Sequence, residues 1–356
     1  MKVSFFETGR YPVPPDFPRE WPVPSAAYDP DIGVKAYAGI IERMKFVEEL
    51  GFDWISVSEH HYSPRILTPS PVVSAAFMAA HLNTAKVALL GPIVPTSNPI
   101  RVAEELAMLD TMAPGKIVVG LLRGTTNEYL SYDLNPTEAR ERTDEGMELI
   151  LKAWTEPQPF SWQGRYFQYR TVSIWPHPHA DLPTYSLGTS AEAGEFAARN
   201  RLGLGLSYGG LDSMRKASAY YRKQCTEYGW EPGRDSIIYR ANMILGETDE
   251  AAEAALARRS KQPPFPLAEG LRDALMAADK RNIAGEKRAA PIGGVLPITF
   301  CGGPDRIVAQ LKEWRDEVGV GVVDLSLQDP GTGDLDAMMT ALDLFGRKVI
   351  PRLREI

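Results

Sequence analysis

Short β-rich runs alternate with longer helical patterns along nearly the whole chain, and this alternation constrains the fold more than any other feature. Eight β-α units in order predict a closed parallel sheet, because right-handed crossovers leave few other arrangements. We therefore predict an α/β fold, a single (β/α)8 TIM barrel domain over residues 1–356. The predicted strands are 3–7, 52–58, 86–94, 117–122, 184–187, 202–207, 237–245 and 322–327.

The helical patterns between these strands carry recognisable start and stop signals. In the pattern over 35–50, Ile40, Met44 and Val47 have helical spacing, and Gly51 follows as a helix end. Residues 160–182 interrupt the alternation and predict an extra hairpin with its turn at 163–164. The other helices are predicted at 71–82, 98–112, 138–154, 191–199, 212–228, 249–259 and 335–345.

Two insertions interrupt the rhythm of the barrel. Residues 10–34 follow the first strand and are rich in proline and aromatic residues, and residues 261–297 follow the start of the seventh helix. Long structured connections in compact domains are often functional, although exposed decoration is the plainer alternative. We expect both insertions to cover the active site.

Composition excludes several classes of function. The formal net charge of −7 and the pI near 5.4 argue against a nucleic-acid-binding protein. No apolar run is long enough to span a bilayer, so no membrane association is expected. The only cysteines, Cys225 and Cys301, offer neither a zinc-ligand spacing nor a disulfide framework. A cytoplasmic setting is therefore expected.

The second predicted strand runs directly into Glu59, His60 and His61. Polar side chains at the carboxyl ends of barrel strands commonly form active sites. Strand alternation predicts that Ser56 and His60 point into the barrel and that Glu59 points the other way. Because adjacent imidazoles on a strand face opposite ways, a shared metal ion is disfavoured, and we predict no metal. A structural role fits His61, and a functional one fits His60.

Two other strand ends predict an anion site. Arg123 and Gly124 follow the fourth strand, and an arginine beside a glycine suits a phosphate or a carboxylate, or else a salt bridge. Gly188, Thr189 and Ser190 follow the fifth strand directly before a helix, whose first amides and dipole favour an anion. Ser190 is also explained as a helix cap. Because the two strands are neighbours, both ends could hold one phosphate.

These motifs resemble, in order and spacing, those of the bacterial-luciferase-like family of flavin-dependent monooxygenases. The resemblance covers nearly the whole chain. The matching segments are 59–61 after the second strand, 91–96 after the third, 98–106 with 109–110 in the third helix, 120–124 at the fourth strand, 142–146 in the fourth helix, and 302–305 before a late helix.

The resemblance implies a barrel that binds reduced FMN from a separate flavin reductase and uses O2, through a C4a-peroxyflavin, to oxygenate a small organic substrate. It places His60 and Glu59 in the catalytic site. It assigns a cofactor-binding role to Arg123, Gly124, Gly188, Thr189, Ser190, Pro92 and Ser207. The aromatic residues of the first insertion and the hairpin suggest an apolar, aromatic or carbonyl substrate. A homodimer is also expected from the resemblance.

One departure bears on the chemistry. The light-emitting subunit of bacterial luciferase has a cysteine just before the phosphate arginine, whereas Leu122 stands at that position here. Efficient luminescence is therefore not expected. Family members often contain a non-prolyl cis peptide bond after the third strand, but Pro92 and Pro95 crowd that segment, so we do not expect the bond here. Two alternatives stay open, a deazaflavin-dependent oxidoreductase of the same fold and a non-catalytic flavin-binding luciferase relative.

Overall fold

The computed structural model describes residues 1–14, 17–18, 21–259, 297–327 and 335–355, and within them eight parallel strands close into a barrel. Each strand pairs with the next, and the last pairs with the first, so the predicted TIM barrel is confirmed. In order around the barrel, the strands are β1 (Lys2–Phe6), β2 (Trp54–Val57), β3 (Lys86–Ile93), β4 (Ile117–Leu122), β7 (Thr184–Leu187), β8 (Gly203–Ser207), β9 (Ile237–Leu245) and β11 (Val322–Leu327).

Helices follow the strands and cover the outside of the barrel. The first three begin at a proline that follows a capping side chain, since Asp29, Ser70 and Asn98 each accept hydrogen bonds from amides of the first turn. None of the helices in the described ranges has the length and apolar character needed to cross a membrane. They are α1 (Pro30–Glu49), α2 (Pro71–Ala79), α3 (Pro99–Met112), α4 (Thr126–Ser131), α5 (Ala139–Thr155), α6 (Ala191–Arg199), α7 (Leu211–Glu227), α8 (Asp249–Arg259), α9 (Pro304–Val318), α10 (Leu335–Lys348) and α11 (Ile350–Arg354).

The two faces of the barrel strands have different surroundings. Ile55 and Val57 belong to the large core under the helices. Trp54 belongs to a smaller apolar cluster, with residues of β3, β4, β7 and β9, that fills the barrel interior. Ser56 also lies inside, where its hydroxyl bonds to Asp324. The alternation predicted for β2 is therefore present.

The structure differs from the sequence prediction in several elements, and the final short helix α11 is one that was not predicted. Helix α1 begins at Pro30 rather than at residue 35, because Asp29 caps it, so residues 30–34 of the predicted first insertion are helical. Strand β10 (Ile298–Gly302) was not predicted, and it pairs in parallel with the second half of β9. The short helix α4 was also missed. The predicted second insertion at 261–297 lies outside the described residues except for Pro297.

The predicted hairpin is present, with strands β5 (Phe160–Gln163) and β6 (Gln168–Val172) paired antiparallel. Glu145 on α5 fixes its turn, because its carboxylate accepts hydrogen bonds from the backbone amides of Arg165, Tyr166 and Phe167 at 2.9–3.0 Å. The hairpin is thereby attached to the outside of the barrel rather than to its interior.

Candidate active site

The three polar residues after β2 separate as soon as the strand ends. Glu59 contacts the end of β3, since its Oε2 accepts a hydrogen bond from the amide of Ile93 at 2.9 Å. His60 contacts α4 instead, through Glu128. His61 stays beside Glu59. Adjacent side chains of one segment therefore reach different neighbouring elements.

His60 is held by a buried carboxylate. Its Nδ1 lies 3.0 Å from Oε1 of Glu128, whose side chain is 1% exposed, while the imidazole is 34% exposed. The other oxygen of Glu128 accepts hydrogen bonds from the amide of Thr125, at 3.0 Å, and from its hydroxyl. Because an ionised carboxylate only accepts hydrogen bonds, the contact places a proton on Nδ1 and leaves Nε2 to exchange one at the barrel mouth.

The charge state of Glu128 follows from its neighbours. Burial alone would raise the pKa of this carboxyl group, but the hydrogen bond and positive charge of His60, with the hydrogen bond from Thr125, outweigh burial and lower it. The carboxylate is therefore ionised at neutral pH and able to hold the imidazole in one orientation.

Glu59 and His61 form a second carboxylate–imidazole pair, and this one is enclosed. Their atoms Oε1 and Nε2 are 3.1 Å apart, and both side chains are buried. Tyr132 packs against the His61 ring with centroids 4.8 Å apart. Because Glu59 already binds both His61 and the amide of Ile93, its contacts favour a positioning role. The predicted catalytic role of Glu59 stays a prediction.

The ends of β4 and β7 form a positively charged corner. Nη2 of Arg140, on α5, donates to the hydroxyl of Ser190 at 2.9 Å, and Ser190 caps α6 by accepting from the amide of Ala193. Burial raises the pKa of the Tyr129 phenol. The positive charges of Arg123 and Arg140 lie near enough to oppose that rise. The guanidinium of Arg140 therefore lies at the start of α6, and that of Arg123 lies near the same phenol as Arg140.

The remaining predicted cofactor residues lie around the same end of the barrel. Gly124 has a φ of +91° directly after Arg123, a conformation that favours glycine. Gly188 lies so close to α6 that a Cβ there would be 2.9 Å from that of Ala193. Thr189 and Ser207 are exposed at the ends of β7 and β8, whereas Pro92 is buried within β3.

Between β3 and β4 the backbone itself shapes the site. The bond between Leu90 and Gly91 is a non-prolyl cis peptide, so the expectation that Pro92 and Pro95 would exclude this feature was wrong. A Cβ on Gly91 would overlap the carbonyl oxygen of Gly120, so the two strands are in close backbone contact here. The cis bond lies one residue before the bond that joins Gly91 to Pro92, and the bonds that precede Pro92 and Pro95 are trans.

A polar cluster lies below the mouth, on the barrel axis. Nε of Arg240 donates to Oδ2 of the fully buried Asp324 at 2.6 Å. The hydroxyl groups of Ser4 and Ser56 donate to its other oxygen at 2.7 Å each. The guanidinium of Arg240 also lies 3.9 Å from the centroid of the Phe6 ring. All these polar groups are paired, so the cluster forms a rigid, charge-balanced floor.

These observations fit a bound flavin. The Arg123–Arg140–Ser190 corner supplies cations, a hydroxyl and a helix start for a phosphate. The partly exposed Leu122 and Leu187, at the ends of β4 and β7, supply an apolar wall. Within the described ranges, no group of His, Cys, Asp and Glu side chains is arranged to hold a metal ion.

Sequence reasoning missed Glu128, Arg140 and the Arg240–Asp324 pair. A signal for Glu128 was present, because Thr125 and Glu128 have the spacing of a capping box and the structure contains one. A carboxylate inside the apolar strand β11 also marked Asp324 as unusual. No local signal linked Arg140 to Ser190, since fifty positions separate them in sequence.

Comparisons with known proteins agree with this geometry. Residues 19–320 match the family model described as luciferase-like monooxygenase. The alkanal monooxygenase alpha chain of Aliivibrio fischeri is 27% identical over 211 residues, which are 58% of this chain and 59% of that protein. The beta chain of Vibrio harveyi is 27% identical over 184 residues, or 51% of this chain and 56% of that one. The chain thus spans somewhat more than half the length of these relatives.

Solved structures extend the likeness to the whole fold. The monooxygenase RslO1 of Streptomyces bottropensis covers 99% of this chain and all of its own, with a TM-score of 0.76 and 21% identity. The oxygenating constituent of 3,6-diketocamphane monooxygenase from Pseudomonas putida, in complex with FMN, has a TM-score of 0.70, 17% identity and coverage of 99% and 98%. An F420-dependent secondary alcohol dehydrogenase also has a TM-score of 0.70, with 14% identity and 99% coverage of both chains.

Proposed function

We propose a function from one premise: this chain belongs to the luciferase-like monooxygenase family. We propose that it is a two-component flavin-dependent monooxygenase, which receives reduced FMN from a separate reductase and uses O2 to oxygenate a small organic substrate. The observation that carries the proposal is the His60–Glu128 pair at the barrel mouth. It stands at the same strand ends as an anion-binding corner and an apolar wall, which are the parts that a flavin enzyme requires.

The residues of this chain would divide the work as follows. Arg123, Arg140 and Ser190 hold the phosphate of FMN, while Leu122 and Leu187 contact the ring system. Reduced FMN, when bound, supplies the electrons that activate oxygen. His60 gives or takes a proton at Nε2, because Glu128 keeps the other ring nitrogen protonated.

Oxygen uptake tests the proposal. His60→Ala should bind FMN as tightly as the wild type but lose product formation, screened with ketones, aldehydes and phenols in the presence of a flavin reductase. His177→Ala is the matched control, because His177 is exposed in the segment after β6. If His60→Ala oxidised a substrate as fast as the wild type, the proposed role of His60 would be wrong.

The second candidate is a deazaflavin-dependent oxidoreductase. The F420-dependent alcohol dehydrogenase and the FMN-bound diketocamphane enzyme resemble this fold equally, each with a TM-score of 0.70. Relatives named alkanal monooxygenase support the first candidate. Titration with FMN and with F420, followed by fluorescence, separates the two, since the cofactor bound more tightly identifies the class. The paired His60 and Glu128 speak against a non-catalytic flavin-binding protein.

We also propose that the chain forms a homodimer through α2 and α3. Val73 and Phe77 on α2, and Met108 and Met112 on α3, are large exposed apolar residues. Each pair is four positions apart and so shares one helix face. The double variant Phe77→Glu, Met108→Glu should sediment as a monomer while keeping its helical content. A wild-type monomer at micromolar concentration would contradict the proposal.

A further inference from the structure

Arg10 and Arg65 lie on neighbouring segments above the carboxyl end of the barrel. Backbone hydrogen bonds of 2.9 Å at both ends pair residues 8–11, after β1, antiparallel with residues 64–67, after β2. The two segments therefore lie side by side, and Arg10 is close enough to Arg65 for its charge to act on that guanidinium. Like charges repel, so the charge of Arg10 disfavours the charged form of Arg65.

The charge of Arg65 acts on the phenol of Tyr208, a residue on the opposite side of the barrel. Tyr208 follows β8, which is four strands away from β2 in either direction around the barrel. The pKa of Tyr208 is raised mainly by burial, and the charges of Arg240, Asp324 and Arg65 all act on it. Because Arg240 and Asp324 lie inside the barrel, the effect of Arg65 on the same phenol indicates that its guanidinium lies on the side of the loop that faces them.

The donors of Arg65 are unused within the described part of the chain. Arg65 is an exposed residue, and its guanidinium makes no hydrogen bond or ion pair with the described residues, in contrast to those of Arg240 and Arg43, which bind Asp324 and Glu7. The surrounding protein removes hydration from Arg65, which, with the charge of Arg10, lowers its pKa. An anion placed here would supply the missing partner and relieve the repulsion.

We propose that Arg65 binds the carboxylate of an organic-acid substrate, with the remainder of the substrate directed toward His60. This inference rests on the proposed oxygenase function. A guanidinium matches a carboxylate through two parallel hydrogen bonds. Tyr62, between the two residues in sequence, is exposed and packs on Trp21 with ring centroids 6.2 Å apart, which offers an aromatic surface for the body of the acid.

The phosphate of FMN is the competing ligand for Arg65. The corner formed by Arg123, Arg140 and Ser190 lies at the ends of β4 and β7, whereas Arg65 follows β2. The two cationic sites therefore belong to different strands, with β3 between β2 and β4. A phosphate site for the cofactor and a separate carboxylate site for the substrate account for the two groups of cations.

Calorimetric titration of the full-length protein with matched acids and amides tests the inference. The probes are benzoate, naphthoate and octanoate, each beside its amide, with and without FMN. At least one acid should bind about tenfold more tightly than its amide, and Arg65→Gln should abolish that preference. Arg65→Lys should retain part of it, because lysine keeps the charge but not the planar fork. Arg170→Gln, which removes an exposed charge from strand β6 of the hairpin, is the matched control and should leave the binding of acids and amides unchanged.

Four results would overturn the inference. Acids and amides could bind alike, or none of the acids could bind. Arg65→Gln could keep the preference for the acid. Arg65→Gln could instead weaken FMN while riboflavin binding stays unchanged, which would assign Arg65 to the cofactor phosphate. If the wild-type protein bound acids but no flavin, the oxygenase proposal would be contradicted and the carboxylate site at Arg65 would not. The melting temperature of Arg65→Gln should not fall, because the repulsion from Arg10 is removed.

Discussion

Replacement of Glu128 by glutamine tests whether a buried carboxylate sets the tautomer of His60. Glutamine has one acceptor oxygen where glutamate has two. The amide of Thr125, 3.0 Å from Oε2, can only donate, so the glutamine oxygen must face it and the NH2 group must face His60. Nδ1 of the imidazole, 3.0 Å from Oε1 in the wild type, then has to accept, and its proton moves to Nε2.

This exchange removes the base from the barrel mouth without removing the ring. General acid–base catalysis contributes about 10²–10⁴-fold to a rate, so turnover of Glu128→Gln should fall by a factor in this range. FMN affinity should not change, because neither Glu128 nor His60 belongs to the anion corner. The measurement is product formation at saturating FMN, with binding followed separately by flavin fluorescence.

Asp110→Asn is the matched control. Asp110 is a buried carboxylate with a histidine partner, since its Oδ2 lies 2.8 Å from Nδ1 of His179, but the pair is at the end of α3, away from the mouth. It should alter stability and leave turnover intact. Full activity of Glu128→Gln, or equal losses in the two variants, would refute the tautomer argument.

The substitution Glu128→Gln should also change how the stability of the protein depends on pH. The pKa of Glu128 is lowered in the folded protein, so the stability from the ionised carboxylate is present above the unfolded pKa and is lost as pH falls through the folded pKa. Charged hydrogen bonds exceed neutral ones by about 1 kcal/mol, so Glu128→Gln should lose about that much free energy of unfolding at neutral pH. In urea titrations the difference should shrink as the medium becomes acidic.

Three further substitutions probe the cofactor corner and the barrel. Arg123→Ala should weaken FMN binding by about 1.5–3 kcal/mol while leaving riboflavin binding unchanged, and an unaltered dissociation constant for FMN would contradict the phosphate assignment. Gly91→Ala should cost about 1–3 kcal/mol in a urea titration, because its Cβ would overlap a β4 carbonyl; Gly210→Ala, with nothing within 4 Å, should cost less. Asp324→Ala should lower the free energy of unfolding by about 3–5 kcal/mol, since it leaves Arg240 without its carboxylate; a stable variant would show that water replaces it.

The barrel could be predicted because its signals are local. Strand β7 and strand β9 have the predicted bounds, and their apolar runs end in plain turn or helix-start residues. Strand β10 escaped prediction because its five residues, only two of them buried, lack both a long apolar run and regular alternation. Helix α4 is only six residues long, too short for a helical period to show.

The sequence predicted those site residues that directly follow a single strand. His60, Arg123 and Ser190 each follow a strand and could be read one at a time. Their partners could not, because Glu128 and Arg140 come from helices, and the contacts exist only once the barrel closes. The cis bond at Leu90–Gly91 was not expected because only the prolines were considered, and the close approach of β4 to Gly91 could not be seen from the sequence.

The position of His60 depends on both flanks of the segment that carries it. On one side Glu59 ties the chain to the amide of Ile93 at the end of β3, and His61 is enclosed beside it. On the other side Glu128 holds the imidazole from α4. Because neighbouring side chains of an extended segment alternate in direction, anchoring Glu59 and His61 away from the mouth fixes the backbone from which His60 projects. A reactive ring that must stay partly exposed thus gains its fixed orientation from two buried carboxylates rather than from burial of its own.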